Sequence, residues 1–414
     1  MTKRLTLLDV CEFIVDCEHK TAPLAESGYP SIRTPNVGRG RLILDGANRV
    51  DEDIYKKWTK RAVPKAGDII IAREAPVGNV ALITPGQNVC LGQRTVLVRP
   101  NAKKVDNAYL CYFLLGDFAQ NAFRAASIGC TVPHLNMADI RNLMLPALPK
   151  LSVQTKTAGI LSAYDDLIEV NQRRIAILEE MARRLFDEWF VRFRYPGHEH
   201  VKIVDGLPEG WERRPLGEVA EVRLGKMLDA KKNRGELRPY LANVNVRWGA
   251  FDLTDLREMR VEENELAKYG LSFGDIVMCE GGEPGRCALW KAQVPEMTIQ
   301  KALHRIRALD CIDPLFLYHQ LYNMAKTRQL EGLFTGATIK HLPREKLIQV
   351  MIVVPPPKLI REFAALAAPL ETQIGTLGDA VSRAAQARDL ILPKLISGEI
   401  EVGRGEEALS RAAE

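Results

Sequence analysis

No window of this sequence approaches the roughly eighteen consecutive apolar residues that a membrane span requires. The opening stretch places Asp9, Glu12, Asp16 and Glu18 where a secretory leader would need an unbroken apolar core. Both absences predict a cytoplasmic chain without a membrane partner. Cysteine is present but unpaired in pattern: Cys11, Cys17, Cys90, Cys111, Cys130, Cys279, Cys287 and Cys311 include no CxxC. Structural zinc sites usually use that close spacing, and disulfide frameworks belong to small secreted chains, so reduced and mostly buried thiols are expected.

Catalytic signatures are also scarce. A phosphate-cradling GxxxxGK[ST] loop is absent, which argues against ATP hydrolysis by this chain. The only proline pairs lie in Val354–Pro357, without the polar and aromatic neighbours of a flipped-base pocket. Gly38-Arg39-Gly40 lacks the third glycine of a dinucleotide loop and is expected to be an ordinary turn. The seven histidines form no HxxxH pair, and His198-x-His200 sits in a joint expected to be a solvated loop. Glu280–Arg286 has the glycines of a phosphate loop, but its two glutamates would repel phosphate, so a tight turn is expected. Catalytic, cofactor-binding and metal residues are therefore assigned to none.

Positive charge collects in two blocks. Residues 1–150 carry 20 Lys and Arg against 14 Asp and Glu, and residues 207–356 carry 22 against 20. The segments between and after them are slightly acidic. Such a distribution suits an anionic polymer touched at two places.

The two blocks are copies of each other. Leu7-Leu8-Asp9-Val10 aligns with Leu216-Gly217-Glu218-Val219, and Asn36-Val37 with Asn245-Val246, at an offset of 209. Gly67-Asp68-Ile69-Ile70 aligns with Gly274-Asp275-Ile276-Val277, Gln93-Arg94 with Gln300-Lys301, and Gly129-x-Thr131-x-x-His134-Leu135 with Gly336-x-Thr338-x-x-His341-Leu342, all at 207. Short β-branched runs such as Ala66–Ile71, Val80–Ile83 and Thr95–Val98 predict strands. Asp106–Ala119 and Asp313–Ala325 predict helices with an aspartate cap. A proline-rich stop closes each copy.

A different pattern follows each stop. Ile160, Tyr164, Ile168, Ile175, Leu178, Met181, Leu185 and Trp189 recur at helical spacing, with Asn171 in one polar slot. Ile360, Phe363, Leu366, Leu370, Ile374, Leu377, Val381 and Ala384 repeat it, Arg388 takes one slot, and Ile391 and Leu395 resume. Both predict long helices with one apolar seam, suited to antiparallel pairing with each other. Pro369, Gly375 and Gly378 should weaken the second locally. Roughly 36 helical residues span about 54 Å, against about 34–36 Å for a turn of DNA, so the helices could act as a ruler between two heads. The expected divisions are 1–150, 151–195 (central helix), 207–356 and 357–398 (C-terminal helix), in an α+β fold made by tandem duplication.

Arg and Lys suit guanine, Asn and Gln adenine, and Thr and His either base edge or phosphate. Turn positions polar in both copies are the first candidates: Asn36/Asn245, Asn79/Arg286, Gln93/Gln300, Arg94/Lys301, Thr131/Thr338 and His134/His341. Positions that differ between copies, such as Arg33, Arg39 and Arg73 against Arg247 and Lys340, are candidates for each head's own preference, and Asn243 is a further DNA-binding candidate. Identity between copies is equally what a structural role would leave, most of all for Gln93/Gln300 and the Thr-x-x-His pair.

With Leu207–Glu212 opening the second half, Gly274–Gly282, Gly336–Leu342 and the ending Leu392–Ile400 in that order, the sequence resembles the specificity (S) subunits of type I restriction–modification systems over nearly its whole length. The resemblance implies two mixed α/β target-recognition domains separated by two long antiparallel coiled-coil helices. It implies that each domain reads half of a bipartite site in double-stranded DNA, that two modification (methyltransferase) subunits dock on the helices, and that restriction/translocase subunits join them. S-adenosylmethionine, ATP and Mg would belong to those partners and no cofactor to this chain. Faces around Arg173-Arg174 and Arg183-Arg184 are the docking candidates. Arg73–Gly78 departs from the Ser/Gly-rich turn more usual there, leaving the first head's base preference open. Two other classes stand against this reading: a two-headed coiled-coil scaffold for protein partners, and a stand-alone DNA methyltransferase.

Overall fold

The computed structural model describes residues 5–127, 133–228 and 234–402. They form two compact units, Met1–Arg173 with Gly378–Glu414, and Arg174–Leu377. Each unit is a mixed α/β domain together with part of both long helices.

In the first unit a five-stranded sheet runs in the order Cys11–Asp16, Thr95–Pro100, Ile69–Ala72, Val80–Leu82, Gly40–Arg41, antiparallel except for its last pair. A smaller sheet orders Arg49–Val50, Tyr29–Ile32, Cys90–Leu91, antiparallel then parallel. The second unit repeats both, without a counterpart of the parallel edge strand Gly40–Arg41. Ala220–Leu224, Leu303–Ala308, Ile276–Cys279 and Cys287–Leu289 make the larger sheet. Arg257–Val261, Glu236–Leu241 and Thr298–Ile299 make the smaller one, again antiparallel then parallel. The duplication read from the sequence is thus a duplication of topology. The middle strands, Ile-Ile-Ile-Ala and Ile-Val-Met-Cys, are buried along their whole length, which explains their unbroken apolar runs.

The Gly-Asp-Ile signature is a structural device in both copies. Asp68, 1% exposed, accepts Arg99 Nε and Nη2 at 2.7 Å each and the Lys65 N–H at 3.0 Å. Asp275, also 1% exposed, accepts Arg307 Nε at 2.7 Å, Nη2 at 2.6 Å and the Ser272 N–H at 2.7 Å. A forked guanidinium fills both carboxylate oxygens, and the pair ties the start of one central strand to its neighbour.

Asp106 caps its helix by accepting the Tyr109 N–H at 2.9 Å, and Asp313 accepts those of Leu315 and Phe316 at 2.9 and 3.1 Å. Pro314–Lys326 is one helix. The first copy differs from the single helix expected: Asn107–Leu115 stops where Gly116 turns extended, and Asp117–Ser127 starts a second.

The central helix spans Leu151–Phe186 and continues into a π-helical turn, Asp187–Val191. The C-terminal helix runs unbroken over Pro357–Ser397, through Pro369, Gly375 and Gly378. Within the first unit Ala158 and Leu161 share a core with Leu392 and Leu395. Within the second, Phe186 and Phe190 share one with Phe363 and Leu359. In the first unit Asp165 pairs with Arg388 while Leu161 lies with Leu392 and Leu395, and in the second Phe186 stands against Phe363 while Glu179 stands beside Glu371, so the pairing is antiparallel in each. The seam departs from the expected one in detail. Ile160, Met181 and Leu366 are exposed at 39%, 50% and 52%, while Leu161, Ala182, Phe186 and Ala367 are buried. The reason is that each helix end packs against a recognition-domain core as well as the other helix, which rotates the buried face. All described cysteines are free, and only Cys311 is exposed. No helix among the described residues is long and apolar enough to cross a membrane.

Two outcomes follow from this packing. Leu395→Ala should cost about 3 kcal/mol, and hydrogen exchange should place the loss on Ile69–Ala72 while Ile276–Cys279 keeps its protection. His319 is 4% exposed between Phe186 and Phe363, and burial pushes its pKa down to about 4, against the pull of Glu371. The folded ring stays neutral where the unfolded ring takes a proton at about 6.5. The second unit is therefore fully stabilised above about pH 6.5 and should lose on the order of 3 kcal/mol as pH falls to about 4, then level off. Four of the five tryptophans lie in this unit and Trp58 in the other, so fluorescence in a Trp58→Phe background reports it, and the slope difference between that background and His319→Phe within it isolates the histidine from the carboxylates.

Candidate nucleic-acid interface

Four separate turns converge on one surface of each recognition domain, and they carry the sequence-derived candidates. In the second unit these are the 3-10 turn Asn243–Asn245, the strand connection Glu280–Arg286, the Gln300–Lys301 turn and the loop Thr335–His341. Backbone hydrogen bonds close the loop from Thr335 to His341 in both directions at 2.8 Å. Leu342 N–H donates to the Glu280 carbonyl at 2.7 Å, and Glu280 N–H to that of Ala302 at 2.9 Å. The Asn243 side-chain amide donates to the Gly281 carbonyl, and Arg286 Nη2 returns to the Asn243 carbonyl at 3.0 Å.

The first unit gathers the same parts. Arg73 N–H donates to the Arg94 carbonyl at 2.9 Å, Leu135 N–H to that of Arg73 at 3.0 Å, and Asn79 Nδ2 to Val37 beside the turn Thr34–Asn36 at 2.9 Å. His134 bridges Glu74 as His341 bridges Gly281. Thr131 lies outside the described residues.

Within this surface the candidates divide by what their side chains already hold. Asn36 accepts the Arg33 N–H at 3.1 Å and donates to Ile43 at 3.1 Å. Asn245, 6% exposed, accepts the Ala242 N–H at 2.9 Å and donates to Asp252 at 3.0 Å. Both amides are spent on shaping a turn, as are those of Asn79 and Asn243. Arg73, 11% exposed, donates Nη1 to Asp16 at 2.8 Å and Nε to the Leu135 carbonyl at 2.7 Å. Arg286, 16% exposed, pairs with Glu283 at 2.6 Å. Arg94 meets Glu74 at 3.0 Å, Arg247 meets Asp252 at 3.1 Å and His341 Nδ1 meets Glu280 at 3.0 Å, all with more than two-fifths of their surface exposed. His134 Nε2 lies 3.0 Å from Asn136 Oδ1, and Gln93 and Gln300 are half-buried in their turns. Arg33, Lys301, Thr338 and Lys340 are exposed, and the three cations have no ion-pair partner among the described residues.

Sequence reading took Glu280 and Glu283 only as groups that would repel phosphate, and it did not single out Asp16 or Glu74 as partners, nor Trp248. Trp248 Nε1 donates to Glu283 at 2.8 Å, and Lys326 Nζ stands 3.8 Å over its ring. The signal available for it was the Arg-Trp-Gly turn just after the Asn-x-Asn pair. Ile339 and Val244, 62% and 63% exposed, are apolar members of the surface and suit a thymine methyl. For a metal, the described residues offer Asp16, Cys17 and His19, with ligand atoms within 4.8 Å of one another. Arg73 already occupies that carboxylate, and burial pushes the Cys17 thiol pKa up, so a cation would compete with a guanidinium at Asp16 and with the proton on the thiol.

A surface of turn-borne Arg, Lys, His, Asn and Thr, built twice, is chemistry for anionic, base-edged ligands. Comparison with known proteins agrees. The family described as Type I restriction modification DNA specificity domain matches residues 3–180. The type I restriction enzyme MjaIX specificity subunit of Methanocaldococcus jannaschii is 25% identical over 377 residues, covering 87% of this chain and 83% of that one. The HindI specificity subunit of Haemophilus influenzae is 23% identical, covering 82% and 88%. A crystal structure of the type I S subunit from M. genitalium superposes with a TM-score of 0.58 over 95% of each chain at 17% identity, a likeness of fold. Residues 3–180 carry the match to that family domain, and the chain resembles type I specificity subunits over most of its length.

Residues that build this surface and residues left free on it separate by measurement. Asn245→Ala strands a buried N–H and carbonyl and should cost about 1–3 kcal/mol in thermal unfolding. Lys340→Ala should leave stability within about 0.5 kcal/mol and lower the slope of log affinity for duplex DNA against log salt by about 1.

Proposed function

We propose that this chain is the DNA-reading subunit of a type I restriction–modification assembly. Each recognition domain reads one half of a bipartite double-stranded site, and the chain directs adenine methylation and restriction by its partners. The observation that carries this reading is the four-turn surface, assembled from corresponding residues in both copies of one fold. A protein that reads one half-site per domain needs such a surface twice, with differences confined to a few side chains. Asn36/Asn245 keep the turn alike in both, whereas Arg73 stands where the second copy has Glu280 and Asn79 where it has Arg286. Arg73 and Arg286 are each held by a carboxylate of their own unit, so DNA phosphate or guanine must exchange for that partner. Such exchange favours discrimination over indiscriminate backbone binding.

On this reading the chain carries no reaction of its own. Two modification subunits would supply S-adenosylmethionine and methyl transfer, and restriction subunits ATP, Mg and translocation. The long helices would set the gap between half-sites, and the exposed faces around Arg173-Arg174 and Arg183-Arg184 would receive partner subunits.

Single-molecule methylome sequencing of a host expressing the neighbouring modification subunit, with and without this chain, tests the proposal. A methyladenine motif in two halves around a fixed gap should depend on the chain. Inserting one helical turn into both long helices should widen the gap by about one to two base pairs and leave each half-site unchanged. Methylation that is absent, or indifferent to the chain, overturns the reading.

A further inference from the structure

In each unit a carboxylate of a long helix meets a helix of the α/β domain and a cation at one point, fully buried in the first unit and half-buried in the second. In the first unit this is Asp165, 3% exposed. Its Oδ2 accepts the Tyr112 hydroxyl at 2.6 Å, and its Oδ1 accepts Arg388 Nη1 from the C-terminal helix at 2.5 Å. Gly40, at a φ of +97°, passes so close that a Cβ there would lie 2.9 Å from Asp165 Oδ2. Arg41 then donates to the neighbouring Asp166 at 2.5 Å. Four stretches of chain remote in sequence thus meet around one side chain.

The second unit holds the counterpart. Glu371 accepts Lys291 Nζ at 2.8 Å, with His319 Nε2 3.8 Å away. Gly249, at a φ of +76°, would place a Cβ 3.4 Å from the Tyr318 hydroxyl and 3.7 Å from Glu179. Gly40 and Gly249 are 209 apart, Tyr112 and His319 are 207, and Asp165 and Glu371 are 206, so the junction belongs to the duplicated plan. The copies differ in closure. The first satisfies both carboxylate oxygens with hydrogen bonds, whereas in the second His319 Nε2 has no hydrogen-bond partner.

A buried ion pair rarely adds stability over apolar residues of equal volume, and its best-attested role is to select one register among several. A Leu–Leu contact tolerates sliding and rotation. A carboxylate shared by a phenol and a guanidinium from two other segments does not.

We propose that Asp165 is a positioning residue for DNA reading: through Tyr112 and Arg388 it admits one orientation of the first recognition domain on its helix pair, and so determines where along the duplex that domain reads. Glu371 has the same task in the second unit. This rests on the DNA-reading function proposed above.

The test uses the full chain with its modification subunits, methylating duplexes whose gap is the native length or one base pair longer or shorter. The apolar triple variant Tyr112→Phe, Asp165→Leu, Arg388→Leu should keep or gain thermal stability. Its methylation of the off-length duplexes, relative to the native one, should rise about tenfold. Tyr112→Phe alone removes one donor, leaves the ion pair, and should give a smaller rise of the same kind. Gap discrimination unchanged in Tyr112→Phe and in the triple variant overturns the inference while leaving the function intact. Discrimination unchanged in Tyr112→Phe, with a triple variant that fails to fold, makes the pair a stability element and overturns it equally. A parent complex that methylates without regard to the two-part site removes the functional reading and this inference together.

Discussion

Leu392 and Leu395 lie in the same core as Leu7, Ile69 and Leu161, so the first unit closes only when the last helix of the chain returns to it. The second unit has the matching requirement: Phe186 and Phe190 arrive from the central helix to meet Phe316 and Phe363. Each recognition domain contributes a sheet with one face still to cover, and each long helix contributes an apolar stripe that water would penalise at about 25 cal/mol per Å². Burying one against the other satisfies both. The consequence is that neither unit is a contiguous piece of sequence, and each depends on both helices.

That dependence explains where polar residues are tolerated inside. Arg388 falls in the apolar seam and would be costly there alone. It is accommodated because Asp165 and Asp389 both face it. Asp68 and Asp275 are similarly held by Arg99 and Arg307 at the strand starts. In each case the charge sits where two segments must take one relative placement, and a fork of hydrogen bonds is more selective than apolar contact.

The reading surface follows the opposite rule. Its cations stand on turns, half or fully exposed, and most lean on a carboxylate nearby: Arg94 on Glu74, Arg286 on Glu283, His341 on Glu280. These pairs hold side chains in defined positions at little gain in stability, since exposed ion pairs contribute about 0–1 kcal/mol. Much of this surface was legible before the fold. The offsets that align Asn36 with Asn245 and His134 with His341 pick out turns that do converge. What could not be read was the division of labour among them. An asparagine that shapes a turn and one that would meet adenine have the same letter, and only the hydrogen bonds of Asn36 and Asn245 show the first role.

From sequence alone came the duplication, the succession of strand, capped helix and proline stop, and the long helices, because periodicity, β-branched runs and caps are local consequences of backbone geometry. Antiparallel pairing was legible for the same reason, as two single-stripe helices from duplicated segments. Tertiary structure alone decided that the buried face turns from Ile160 and Met181 to Leu161 and Ala182, that Gly116 divides the first helix, and which cations are held by acidic neighbours. Those outcomes depend on which distant segment covers each residue, and burial and ion pairing are properties of contacts that the order of residues along the chain does not contain.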